Sequence, residues 1–113
     1  MNTKTSIENI AIEQGSGNPY ADLGIPDADD MLVKAGLARE IAQIIKARRL
    51  TQQRAAELLG MTQPKLSEML RGRFRGISQA KMIECLNRLG RDVSIVVSKV
   101  TRRAAGHTQV VVA

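Results

Sequence analysis

The chain has 113 residues, one cysteine and a formal net charge of +6, a length typical of a single domain with tails. A single cysteine excludes an internal disulfide and a cysteine-based zinc finger. The charge is uneven: residues 1–30 carry one lysine and six acids, whereas residues 31–113 carry sixteen basic and five acidic residues. The second part therefore suits a polyanionic partner.

Several function classes find no support in the sequence. No apolar run approaches the ~20 residues of a membrane span, and no signal peptide is recognisable, so a cytoplasmic protein is expected. Cys85 and His107 lie in different predicted elements and make a poor catalytic pair. Since no phosphate-binding loop, metal-ligand spacing or catalytic triad appears either, we expect no enzyme activity, cofactor or metal.

The first 26 residues contain several glycines and prolines among polar residues and are predicted to be a flexible acidic segment. Its short run IENIAI (7–12) could become a strand or a helix on a partner, or belong to a disordered tail. Acids at 27, 29 and 30 then favour a helix start, because they complement the helix dipole. Apolar residues recur at helical spacing from there to Arg49: Val33, Leu37, Ile41, Ile44 and Ile45.

The segment QQRAAELLGMTQPKLSEMLR (52–71) has the pattern of two short helices joined by a tight turn. A Thr precedes each predicted helix, at 51 and 62, where its hydroxyl can cap the first turn. Gly60 stands where a left-handed residue ends the first helix, and Pro64 falls in the first turn of the second. A small Ala56 between the helices and a Leu66–Met69–Leu70 stripe complete the pattern. This predicts a helix-turn-helix, which seats its second helix in the DNA major groove.

An ordinary helical hairpin with a solvated basic face is the alternative to DNA binding. From Lys46 to Arg75 the chain has eight basic residues against two acidic ones, Glu57 and Glu68. Because the basic residues flank the helix that would be presented, the charge pattern favours DNA binding over the plain hairpin.

A basic loop and a further helix follow the hairpin. Phe74 is expected to anchor the loop Arg71–Gly76 to the core, with Ser78 capping a helix over Gln79–Leu89 and Gly90 ending it. Cys85 reads as a buried small hydrophobe within that helix. From Asp92 to Val100 the residues are rich in β-branched types and alternate with period 2, which predicts a strand, and a second, weaker strand could span His107–Val112.

A lone strand leaves unpaired backbone groups. We therefore predict a homodimer in which Val93–Lys99 pairs with the same segment of a second copy, with Val93, Ile95 and Val97 in the interface. An intramolecular hairpin with 107–112 in a monomeric chain is the alternative. The predicted organisation is a flexible segment (1–26), a helix-turn-helix domain (27–90), and a dimerisation segment with its tail (91–113).

The segments LTQQRAAELLGMTQPKLSEMLRGR (50–73) and ISQAKMIECLNRLGRDVSIVV (77–97) resemble the Xre/Cro-type helix-turn-helix family, and the C-terminal features resemble HigA-like antitoxins of type II toxin–antitoxin modules. The resemblance implies a mainly α fold, a small helical bundle of the lambda-repressor/Cro-like type with a C-terminal β-strand used in dimerisation. It also implies roles in DNA binding. Gln52 would contact a phosphate, and base edges or nearby backbone would be reached by Thr62, Gln63, Lys65 and Ser67. We assign sequence-independent phosphate attraction to Lys46, Arg48, Arg49, Arg71, Arg73 and Arg75.

The expected function is a repressor that binds a palindromic double-stranded operator as a homodimer. As an antitoxin, it would also neutralise an RNA-cleaving toxin and repress its own operon. The alternatives are a stand-alone or phage-type repressor without a toxin, and a protein-interaction module that has lost DNA binding. RNA binding is disfavoured because Tyr20 and Phe74 are the only aromatic residues.

Overall fold

The computed structural model describes residues 17–99 and 105–113, and predictions that concern residues 1–16 or 100–104 lie outside that part of the chain. The described residues form five α-helices and no strand. No helix among them is long and apolar enough to cross a membrane. In chain order the helices are α1 (Pro19–Asp22), α2 (Ala28–Ala47), α3 (Gln52–Leu59), α4 (Gln63–Leu70) and α5 (Gln79–Arg88).

The chain divides into two units, residues 1–32 and 33–113. Within the first, the single-turn helix α1 begins after Asn18, whose side chain accepts hydrogen bonds from the N–H groups of Tyr20 and Ala21. The amide nitrogen of Asn18 in turn donates to the carbonyl of Ala28 at 3.0 Å. Helix α1 lies within the segment predicted to be flexible: the glycines and prolines around it favour irregular structure, but Asn18 and Pro19 together start one helical turn.

Helix α2 begins among the predicted acids and ends two residues earlier than expected. The sequence predicts helix through Arg49, but Arg49 takes a left-handed φ of 57°, so regular hydrogen bonding stops at Ala47. The Leu50 N–H donates back to the Ile45 carbonyl at 3.0 Å. This closes the last turn of α2 and turns the chain toward α3.

The predicted helix-turn-helix is present between Thr51 and Leu70. The Thr51 hydroxyl accepts from the Arg54 N–H at 3.1 Å, and the Thr62 hydroxyl accepts from the Lys65 N–H at 3.3 Å. Gly60 ends α3 with a left-handed φ of 65°. The two threonine caps therefore begin both helices, and the glycine ends the first, where the sequence pattern predicts.

The core of the second unit is formed by apolar side chains from every helix it contains and from the loop after α4. Helix α3 contacts both α4 and α5, and Ala56 is buried as the hairpin requires. Burial raises the pKa of the Cys85 thiol, as expected for a cysteine that packs as a small hydrophobe. The core residues are Val33, Leu37, Ala38, Ile41, Ile44, Ile45, Ala55, Ala56, Leu59, Leu66, Met69, Phe74, Ile77, Met82, Cys85, Leu86 and Leu89.

Two basic side chains of α5 bind the carbonyl end of α3. Lys81 Nζ donates to the Leu59 carbonyl at 3.2 Å, and Arg88 Nη1 donates to the Leu58 carbonyl at 3.4 Å. Glu84 joins them, with its Oε2 3.3 Å from Lys81 Nζ and 2.9 Å from Arg88 Nε. The pKa of Glu84 is lowered, first by the hydrogen bond and charge of Lys81 and then by Arg88. Helix α5 thus fixes the turn that precedes α4.

The C-terminal strand that the sequence predicts is not confirmed. Residues 91–98 and 106–113 take no regular secondary structure, so the alternative intramolecular hairpin is not formed in the described segments either. Val93 is half-buried, whereas Ile95 and Val97 are exposed. β-Branched residues favour a strand only when a neighbouring strand supplies hydrogen bonds and cover, and the described part of a single chain supplies neither here.

The C-terminal segment contacts α2 at a glycine. A Cβ placed on Gly36 would stand 3.0 Å from both Cβ and Cγ2 of Val110, closer than ordinary van der Waals contact. The absence of a side chain at Gly36 therefore lets Val110 lie directly on the helix.

We expect Gly36→Val to displace the C-terminal segment while leaving α2 helical, because valine is no worse a helix former than glycine but its Cβ would overlap Val110. Amide hydrogen exchange in residues 105–113 should rise, as measured by mass spectrometry.

Gly76→Val is the matched control, since a Cβ at Gly76 meets nothing within 4 Å. Equal exchange in residues 105–113 of the two variants would show that the Gly36–Val110 contact does not hold the segment.

Candidate nucleic-acid interface

The first turn of α4 presents polar side chains to solvent. Thr62, Gln63, Pro64 and Lys65 are exposed, while Leu66 in the same helix is fully buried. Pro64 stands in the first turn, where its missing N–H costs no helical hydrogen bond. The buried side of α4 fixes the helix on α3, so its amino end projects outward with amide, ammonium and hydroxyl groups available to a ligand.

The loop after α4 displays arginines on a fixed backbone. Arg71, Arg73 and Arg75 are exposed, and Phe74 between them is buried in the core, as the sequence predicts. Lys34 of α2 is only 6% exposed, and its Nζ donates to the Arg75 carbonyl at 3.1 Å. An apolar anchor and a charge-assisted hydrogen bond therefore hold the loop from beneath.

Two arginines of this loop are held by residues of α4. Glu68 Oε2 lies 3.4 Å from Arg73 Nη1 and 4.0 Å from Arg71 Nη1. Arg71 Nη2 also donates to the Ser67 hydroxyl at 2.9 Å. Ser67 is half-buried, so its hydroxyl bonds an arginine rather than projecting freely beside Lys65.

A shallow, open groove of about 270 Å³ lies between helix α4 and the loop. Lys65 and Glu68 line it from the helix, and Arg73 lines it from the loop. The two helical residues are three apart and so share one face of α4. The structure thus brings three of the charged residues of the predicted recognition region to one surface; the complete lining is Pro64, Lys65, Glu68, Arg73, Gly76 and Ile77.

The remaining predicted DNA-binding residues lie elsewhere on the second unit. Gln52 is exposed at the first position of α3. Lys46 lies in the last turn of α2, followed by Arg48 and Arg49, and all three are exposed. None of these four lines the groove beside α4. The three basic residues form a separate stretch at the turn from α2 to α3, and Gln52 follows them.

Sequence reasoning missed the residues that hold this surface in place. Lys34 reads as one more surface charge of α2, and Lys81 and Arg88 read as the polar face of α5. Their acceptors lie 41, 22 and 30 residues away in the chain, so no local pattern could have identified them. Within residues 17–99 and 105–113, no group of three His, Cys, Asp or Glu side chains could hold a metal ion.

This geometry is typical of a helix-turn-helix protein. Two capped helices are joined by a turn that begins at a glycine, and the second helix projects from a basic surface. Residues 19–98 match the family described as Helix-turn-helix domain, and the chain belongs to that family. A solved structure whose name assigns it to the XRE family of transcriptional regulators is 39% identical, with a TM-score of 0.71. The match covers 78% of this chain and 100% of that one, which places the chain among the XRE-type proteins. No match was found among curated proteins.

We expect Lys34→Met to loosen the arginine loop, because the Arg75 carbonyl loses a charged donor. A hydrogen bond to a charged group contributes about 1.5–3 kcal/mol, so local opening should rise about tenfold or more. Amide exchange at residues 73–77, measured by NMR, checks this.

Lys46→Met is the matched control, since it removes the same charge from an exposed position of the same helix. The anchoring role would be refuted by loop exchange that is as slow in Lys34→Met as in Lys46→Met.

Proposed function

We propose that this XRE-type helix-turn-helix protein is a sequence-specific DNA-binding repressor that acts as a homodimer on a palindromic operator. The observation that carries the proposal is the exposed amino end of α4, fixed on α3 by Leu66 and Met69, which are both fully buried. A helix held in this way can enter the major groove as a rigid unit.

Base recognition is assigned to Gln63 and Lys65, with Thr62 beside them. A glutamine amide pairs its donor and acceptor with adenine, and a lysine ammonium donates to the acceptors of guanine. Both side chains are exposed, so each can reach a base edge without repacking the core. Ser67 is held by Arg71, which suits a contact to the nearby backbone better than one to a base.

Phosphate binding is assigned to the arginine loop and to the basic stretch at the end of α2. Arg71, Arg73 and Arg75 follow α4, whereas Lys46, Arg48 and Arg49 precede α3, and Gln52 would donate to a phosphate beside them. Cationic residues on both sides of the hairpin would attract the backbone on both sides of the groove. This attraction is independent of sequence and weakens with salt.

Dimerisation is assigned to the C-terminal segment. Five of the six exposed large hydrophobic side chains among the described residues lie there, at Ile95, Val96, Val97, Val111 and Val112. Ile95 and Val97 are 82% and 91% exposed, an apolar run that a soluble chain normally covers. Pairing of residues 93–99 with a second copy would satisfy the backbone and bury these side chains. Two recognition helices would then address half-sites about one helical turn, ~34 Å, apart.

An antitoxin role is a more specific version of the proposed repressor function. Support comes from the resemblance of the C-terminal region to HigA-like antitoxins and from the acidic residues 1–30, which would complement a basic RNA-cleaving toxin. A stand-alone repressor shares every DNA-binding feature, and the identity of the neighbouring gene would separate the two. A protein-interaction module would need neither Lys65 nor the arginine loop, and it would give no salt-dependent gel shift.

We expect Gln63→Ala to weaken binding to the preferred duplex by about 1–3 kcal/mol and to relax base preference at one position of each half-site. Arg75→Ala, which removes a loop arginine outside the Glu68 ion pairs, should instead weaken all sequences alike and reduce the salt slope by about one. Duplex selection from a random pool, followed by fluorescence anisotropy at several salt concentrations, measures both effects.

Gln43→Ala, which truncates an exposed glutamine of α2, is the matched control and should change neither quantity. The assignment of α4 as the recognition helix is wrong if Gln63→Ala behaves like this control.

We expect the wild-type chain to be dimeric at micromolar concentration and Ile95→Asp to be monomeric, because a buried unpaired carboxylate opposes the apolar interface. Analytical ultracentrifugation measures the mass, and far-UV circular dichroism should show unchanged helix content.

Ser94→Asp adds the same charge one position away, on the side of the predicted strand opposite Ile95, and should leave the dimer largely intact. A monomeric wild-type chain would rule out the dimer, and dissociation by both aspartates alike would remove Ile95 from the interface.

A further inference from the structure

The acid of the recognition helix has an unusual position. Glu68 is one of two acidic residues between Lys46 and Arg75, and its half-exposed carboxylate lines the same groove as Lys65 and Arg73. The other acid, Glu57, lies on α3 and pairs with Arg54 at 3.1 Å. Of these two acids, Glu68 is therefore the one on the surface that the proposed function turns toward DNA.

Glu68 competes directly with phosphate for the arginine loop. Its Oε2 lies within 4.0 Å of a guanidinium nitrogen of both Arg71 and Arg73. Exposed ion pairs of this kind are individually weak. A phosphate must nevertheless displace the carboxylate from each arginine, and the uncompensated carboxylate then repels the phosphate. On DNA of arbitrary sequence the loop consequently attracts the backbone less than its three arginines suggest.

A carboxylate on this face only accepts hydrogen bonds, and the major groove offers it two amino donors, cytosine N4 and adenine N6. Adenine N6 lies between two acceptors, adenine N7 and thymine O4, which repel a carboxylate, whereas cytosine N4 has an acceptor on one side only. Cytosine is therefore the better partner. Glu68 lies about one helical turn after Lys65, on the same face of α4. If α4 places Lys65 at a base edge in the major groove, Glu68 therefore also faces the bases.

We propose, resting on the DNA-binding function above, that Glu68 is a specificity-determining residue that reads a cytosine amino group. On non-cognate DNA it stays paired with Arg71 and Arg73 and weakens their contact with phosphate. At a cognate site the cytosine takes over the carboxylate, and both arginines are released to the backbone. Base recognition and phosphate binding are thereby coupled through one side chain.

The test compares Glu68→Gln with Glu57→Gln, which makes the same change of charge on α3, away from the groove. Glu68→Gln should raise affinity for a 20-base-pair duplex of random sequence about three- to tenfold at moderate salt, in line with the loss of two exposed ion pairs. Glu57→Gln should raise it less than twofold. Selection from a random pool should show a conserved cytosine in each half-site with the wild type and with Glu57→Gln, and loss of that preference with Glu68→Gln.

The inference is overturned if the two variants raise random-duplex affinity equally, or if Glu68→Gln selects the wild-type consensus. Either result leaves the proposed function standing. A wild-type chain that selects no consensus and binds without salt dependence would instead overturn the proposed function itself. Circular dichroism of both variants should match the wild type, since both carboxylates are on the surface.

Discussion

The structure depends on the corner between α3 and α4. Gly60 takes the left-handed conformation that ends α3, and Thr62 begins α4 two residues later. A helix end leaves carbonyls without intrahelical partners, and here α5 supplies donors to two of them through Lys81 and Arg88. Because the Arg88 guanidinium lies 2.8 Å from where a Gly60 Cβ would stand, the same glycine permits both the turn and its cover. The direction in which α4 projects follows from this corner.

The charges of the second unit fall into two groups with different tasks. Lys34, Lys81 and Arg88 bind backbone carbonyls, and so they fix helices and loops. Arg71 and Arg73 of the loop after α4 instead pair with side chains of α4, through Ser67 and Glu68. Breaking a hydrogen bond from a charged side chain to a backbone carbonyl disturbs the fold. Breaking an exposed ion pair costs little free energy, so a ligand can replace one of its partners. A net charge alone does not separate these groups.

The sequence predicts the parts of this fold that local chemistry determines. Threonine and serine caps, a left-handed glycine and helical spacing place α3, α4 and α5 nearly to the residue, because each signal acts within one turn. The sequence does not predict features that depend on groups far away in the chain or on a second strand. The burial of Lys34 depends on a carbonyl 41 residues away, and a strand at residues 92–100 depends on a partner strand that the described residues do not supply. The candidate site follows the same division: its exposed helix could be predicted, but the anchoring of the arginine loop by Lys34 could not.

Helix α2 contacts both the arginine loop and the last residues of the chain. Lys34 binds the arginine loop through Arg75, and Gly36, two residues later, receives Val110 of the C-terminal segment. Successive residues of an α-helix are rotated by about 100°, so the two contacts lie on nearly opposite sides of α2. The helix is therefore held between the loop that would bind phosphate and the last residues of the chain, 105–113.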